Sequence, residues 1–197
     1  MNLPNKLTVL RLILVPIFVV VAMIPESVLP FVWSSIISVV LFIAASFTDM
    51  LDGKIARKYN LVTDFGKFLD PLADKFMVIG ALLVILYKYS NLRSVFIWAT
   101  IIVIFRELAV TSMRLVASSS GGVVIAANML GKIKTVSQII CICAIFIEPL
   151  IYRIDGLGFM AKYMPLSYAT IAIMIIFTLW SGINYIVSGW KYLDPNK

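Results

Sequence analysis

The chain has 197 residues, is 61% hydrophobic and carries a formal net charge of +7 from 17 basic and 10 acidic residues. A mean hydropathy of +1.01, with long apolar runs split by short polar pieces, excludes an ordinary soluble domain and defines a polytopic helical membrane protein. Histidine is absent; this excludes a His-based zinc site, a Ser-His triad and an imidazole base, and leaves oxygen-held magnesium, manganese or calcium as the metals such a chain would hold.

In chain order, six apolar segments predict membrane spans at about residues 7–24, 31–52, 67–87, 92–116, 130–152 and 165–190, each close to the roughly 20 residues that cross the hydrocarbon. The expected fold is therefore all-α, a polytopic membrane bundle of about six transmembrane helices forming a single domain over residues 1–197. The first segment follows Lys6 like a signal peptide, but Arg11 and Pro16 interrupt it and no small-x-small site follows, so it reads as a retained span. Trp33, Trp98, Trp180 and Trp190 fall near span ends, as interfacial anchors do. Cys141 and Cys143 lie two apart on one predicted helix, about 200° around its axis, and read as small packing residues without a mutual disulfide.

A cytoplasmic N-terminus puts every basic residue except Lys88, Arg93, Arg153 and Lys162 on or near the inner side. By the positive-inside rule both termini then face the cytoplasm, in a multi-pass protein of the cell membrane. Because the basic residues sit between apolar runs, anionic lipid and anionic substrate are the partners they imply, and nucleic acid is not.

Asp49, Asp52, Asp64, Asp70 and Asp74 are half of the chain's ten acids. Ionisable groups in a membrane segment are expensive and mark function. On helices, Asp49 and Asp52 lie about 60° apart and Asp70 and Asp74 about 40° apart, so each pair forms a stripe. A short polar connection over 53–65 lets the stripes face each other. Four facing carboxylates repel unless cations lie between them. They suit one or two hard divalent cations, whose remaining ligands are waters or phosphate oxygens. Gly53 and Ala56 remove bulk beside the acids, and Arg57 offers a forked donor set to phosphate. A structural ion site or an intramembrane charge network is the plain alternative.

The run Asp49-x2-Asp52-Gly53-x2-Ala56-Arg57-x8-Gly66-x3-Asp70-x3-Asp74 resembles the signature of the CDP-alcohol phosphotransferase family at every position, and the six-span layout is similar. The resemblance implies a bacterial membrane enzyme that attacks the phosphate of a CDP-linked lipid with an alcohol and releases CMP. By the same resemblance, Asp49, Asp52, Asp70 and Asp74 hold two divalent cations, Mg2+ or Mn2+. Asp74 also acts as the base; Gly53, Ala56, Arg57 and Gly66 lie against the CDP-lipid; and the protein forms a homodimer.

Two further regions bear on the substrates. Asn5, Thr8 and Arg11 recur every three residues within an arc of about 120°, where the first span can meet the nucleotide; helix capping with a positive-inside anchor is the plain alternative. This N-terminus resembles that of the family's glycerophosphate-accepting branch, as does 105–108. Arg106 and Arg114 are about two helical turns apart and share a face. Arg106 lies inside a span and needs a partner, and Glu107 is too close in sequence to face it well. With Lys132 and Lys134, these two predict a site for the acceptor's phosphate, although the lysines also serve as topology charges. CDP-diacylglycerol and glycerol 3-phosphate are the substrates this implies. Another acceptor within the family, an Asp-rich membrane prenyltransferase and a divalent-cation transporter are the rival readings.

Overall fold

The computed structural model describes residues 1–59, 61, 63–119, 129–154, 160 and 163–190, without the side chains of residues 57, 117–119 and 154. Among these there are six helices: α1 (Leu3–Met23), α2 (Phe31–Lys58), α3 (Asp64–Lys88), α4 (Arg93–Ser119), α5 (Met129–Ile154) and α6 (Pro165–Gly189). The bundle is helical throughout, as the hydropathy pattern predicts.

Five helices, all but α3, are long and apolar enough to cross a membrane. The third segment is a helix as expected, and it differs from the other five in its chemistry. α3 has the length, but Asp64, Lys67, Asp70, Asp74 and Lys75 occupy its first half, and its apolar stretch, 76–87, is shorter than a full crossing needs. Outward-facing residues elsewhere are large and apolar, among them Trp98, Ile183 and Val187, which is the surface lipid requires and water penalises.

The second difference lies at the end of α2. The helix runs on through Gly53 to Lys58, so Gly53 and Ala56 sit on helix and only 59–63 connect to α3. Lys54, Ala56 and Arg57 are good helix formers, and one glycine costs too little to end a helix that they continue.

The chain divides into two compact units: Met1–Asn91 with Ile142–Met164, and Leu92–Cys141 with Pro165–Lys197. In the first, α1 packs along α2 and α3. Phe18 of α1 meets the ring of Phe42 at 5.8 Å and that of Phe146 at 5.9 Å. Gly80 lets α3 approach α1; a Cβ there would stand 3.4 Å from Val15 Cγ1 and 3.5 Å from Val19 Cγ2. In the second unit the main helix pairing is α4 against α6. Cys141 and Cys143 form no disulfide with each other.

Candidate active site

The start of α1 is set by Asn2, whose side chain caps the helix by accepting from the Asn5 N–H at 3.1 Å, with proline in the first turn. The start of α3 is set by Thr63, whose Oγ1 accepts from the Gly66 N–H at 3.1 Å. These two helix starts are clasped together. Asn5 Nδ2 donates to Thr63 Oγ1 at 3.0 Å, and the Thr63 hydroxyl lies 3.1 Å from Asn5 Oδ1. Gly66 lies under the clasp, where a Cβ would come 3.0 Å from Asn5 Oδ1 and 3.3 Å from Thr63 Oγ1. The glycine is there because two polar side chains cross over it.

One turn further along α1, Thr8 is fully buried. Its Oγ1 lies 2.8 Å from Asp70 Oδ1 and 3.2 Å from both Asp52 Oδ2 and the Pro4 carbonyl. A hydroxyl has one proton to give, and the shortest contact favours Asp70. Thr8 thus links a carboxylate of α2 to one of α3.

Arg11, one turn beyond, has no exposed surface. Its Nη2 pairs with Asp52 Oδ2, and its Nη1 stands 2.6 Å from Asp49 Oδ1. Asp49 is in turn within electrostatic reach of Asp74, Asp52 and Asp70, and Asp52 within reach of Asp70. Asp49 and Asp52 of α2 therefore share Arg11, and Asp52 and Asp70 share Thr8, with Asp74 one turn beyond Asp70 on α3. Asp52 is buried, while Asp49, Asp70 and Asp74 keep partial exposure. Gly53 and Ala56, half-buried, follow on α2; the Arg57 side chain lies outside the described residues.

The donor set fits hard divalent cations, since every candidate ligand is a carboxylate oxygen. Among the described residues, however, no three acids are drawn together as one metal site. Asp49 and Asp52 are turned toward Arg11, which supplies counter-charge from the protein itself. The spacing of Asn5, Thr8 and Arg11 predicts contact with the nucleotide. Here these three face Thr63, the acids and their own helix.

The basic set lies on the second unit. Arg106 Nη2 donates to Ser181 Oγ at 2.6 Å, its Nη1 is 3.6 Å from Glu107 Oε1, and its guanidinium lies 5.6 Å from the Tyr185 ring centre. The expectation that Glu107 cannot serve Arg106 is corrected. Buried Lys134 reaches across from α5 to the same Glu107 oxygen, so one carboxylate lies between two cations and offsets only one of their two charges. Arg114 Nη2 donates to Tyr185 Oη at 2.6 Å, with its guanidinium 5.0 Å from that ring's centre. Arg106 and Arg114 do share a face. Lys132, two residues from Lys134 and so on another side of α5, is exposed and lines an apolar groove of about 450 Å³ with Ile133, Val136, Ile140, Ile173 and Phe177.

Thr63, Ser181 and Tyr185 are the site-building residues that motif reading overlooks. Thr63 carries the usual signal of a helix cap three residues before Gly66. Ser181 and Tyr185 carry only their four-residue spacing inside an apolar span.

Helices long and apolar enough to cross a membrane, with acids of α2 and α3 held against α1, define a polytopic membrane protein with a buried polar site. The chain matches the description CDP-alcohol phosphatidyltransferase over residues 1–184, and it belongs to that family. It is 41% identical over its full length, and 99% of the relative's, to a Bacillus subtilis protein named CDP-diacylglycerol–glycerol-3-phosphate 3-phosphatidyltransferase. It is 33% identical to a protein of the same name from Pseudomonas fluorescens, covering 100% of this chain and 94% of the other. A third relative with that name, from Yersinia enterocolitica, is 32% identical with 99% of each chain covered.

Proposed function

We propose that this protein transfers the phosphatidyl group of CDP-diacylglycerol to glycerol 3-phosphate, giving phosphatidylglycerophosphate and CMP. The observation that carries the reading is the pairing of Asp49 and Asp52 with Arg11 and of Asp52 and Asp70 with Thr8, Asp74 following one turn on from Asp70, in a chain whose full-length relatives bear the name of that activity.

Asp49, Asp52, Asp70 and Asp74 would hold two divalent cations, Mg2+ or Mn2+. Bound there, the ions supply positive charge to the diphosphate and to the leaving oxygen. Arg11 holds Asp49 and Asp52 in place before substrate arrives. Thr8 fixes Asp70 relative to Asp52. Asp74, partly exposed at the edge of the cluster, accepts the proton of the acceptor's hydroxyl. That oxygen forms a bond to the lipid-side phosphorus, the bond from that phosphorus to CMP breaks, and CMP leaves with the electron pair. Gly53 and Ala56 present a low surface of α2 to the nucleotide, and Arg57 serves its phosphates. Arg106 and Arg114 serve the acceptor's phosphate, and Lys134, shared with Glu107, adds to their field. Lys132, at the rim of an apolar groove, is better placed for lipid phosphate. The site opens toward the cytoplasm, and the active species is a homodimer.

The test is an acceptor panel. Purified protein with CDP-diacylglycerol and magnesium should release CMP with glycerol 3-phosphate, and far less with inositol phosphate, serine or phosphatidylglycerol. Preference for any of these three would replace the acceptor while leaving the family intact.

A further inference from the structure

We infer that α6 acts as a template that spaces the two acceptor-binding arginines, and that Tyr185 and Ser181 are positioning residues for the acceptor's phosphate. This rests on the proposed role of Arg106 and Arg114 and deepens it.

Three observations on α6 converge. Ser181 Oγ accepts from Arg106 Nη2 at 2.6 Å. Tyr185, one turn on and 3% exposed, accepts from Arg114 Nη2 at 2.6 Å and lies beside both guanidinium groups. Between them, Gly182 gives the Arg106 stem its room: a Cβ there would stand 3.1 Å from Arg106 Cγ. Gly131 of α5 leaves similar space for the Tyr185 ring, 3.8 Å from where its own Cβ would be.

Two guanidiniums about two turns apart on one helix face, both beside the same ring, repel each other, and long arginine side chains have many rotamers. An electron-rich ring between them offsets part of the repulsion, and the two hydrogen bonds remove rotamers. Both bonds use Nη2, so the other donors of each fork stay oriented by a fixed partner. A tetrahedral phosphate needs such forks held at set positions. Holding them before binding lowers the ordering cost that the ligand would otherwise bear. Nothing in this arrangement touches the reacting atoms. Its loss should therefore fall on acceptor affinity and spare chemistry.

The experiment uses the full chain in lipid nanodiscs, varying each substrate separately and measuring inhibition by inorganic phosphate. Tyr185→Phe removes the Arg114 bond but keeps the ring; Ser181→Ala removes the Arg106 bond. Each should raise the KM for glycerol 3-phosphate and the Ki for phosphate together, roughly 3–10-fold, the size of one lost hydrogen bond. The KM for CDP-diacylglycerol and kcat should stay within about twofold, and thermal melting should certify folding. Tyr185→Leu, which also removes the ring, should have the larger effect. Unchanged acceptor KM in Tyr185→Phe and Ser181→Ala, with a raised one in Arg114→Ala, would overturn the template while leaving the arginines' role intact. Unchanged acceptor KM in Arg106→Ala and Arg114→Ala would overturn both. Equal loss for both substrates in Tyr185→Phe would make Tyr185 a packing residue and overturn the inference.

Discussion

Arg11 of α1 and Asp52 of α2 form an ion pair with almost no access to solvent: the Arg11 side chain is 0% exposed and that of Asp52 5%. A buried pair is costly to make, and costlier to break from one side, because the survivor keeps its charge without its partner. Arg11 also reaches Asp49, so it neutralises the α2 half of the acidic motif from a third helix.

Arg11→Met should therefore leave two carboxylates without their fixed cation. We expect a loss of about 3–5 kcal/mol in stability, read as a fall in melting temperature of the purified protein. Magnesium or manganese should recover part of that fall, since an added cation can take up the same charge. A melting temperature unchanged by the substitution would show that Arg11 does not hold the acids.

Gly66→Ala places a methyl group against Asn5 Oδ1 and Thr63 Oγ1. The clasp between the starts of α1 and α3 must open or shift, at about 1–3 kcal/mol for such overpacking. Asp70 lies one turn away on the same helix, so turnover should drop as well. Thr63→Ala removes the cap without adding bulk and should cost about 0.5–2 kcal/mol. Melting curves and CMP release on both variants check the pair.

Asp74→Asn tests the base. Loss of a general base commonly costs about 10²–10⁴-fold in turnover, while nucleotide affinity should stay close to that of the parent. Asp49→Asn should damage nucleotide affinity and turnover together. Equilibrium binding of a CDP-lipid beside steady-state rates separates the two, and near-normal turnover in Asp74→Asn would remove Asp74 from this role.

Arg106→Ala should raise the KM for glycerol 3-phosphate by roughly 10–150-fold, the loss of a charge-assisted contact, with little change for CDP-diacylglycerol. Arg106→Lys should rescue only in part, because a point charge cannot both donate to Ser181 and present a fork. Separate titration of the two substrates decides it.

The helical class and the position of every long helix follow from hydropathy, because lipid makes each span declare itself as a long apolar run. The acidic motif is equally legible, since ionisable residues stand out in such a background. α3 is legible as a helix of span length, and its charged first half sets it apart from the five that are apolar enough to cross by composition. The end of α2 is misplaced because Gly53 looks like a break and is tolerated inside the helix. The surroundings of Arg106 are missed for a different reason. Its partners, Ser181, Tyr185 and the Lys134-anchored Glu107, come together only through packing of α4, α5 and α6, and no local spacing encodes that. Arg11 is singled out by its spacing from Asn5 and Thr8, but its pairing with Asp49 and Asp52 needs the α1–α2 contact.

The most direct measurement is formation of phosphatidylglycerophosphate and CMP by the purified protein from CDP-diacylglycerol and glycerol 3-phosphate, with and without chelator. The four motif carboxylates proposed to hold two divalent cations predict equimolar products in magnesium or manganese, none in EDTA, and full recovery when metal is restored. Undiminished turnover in a chelated, metal-free sample would contradict that role for the acidic cluster, and absence of product from glycerol 3-phosphate with metal present would contradict the proposed reaction.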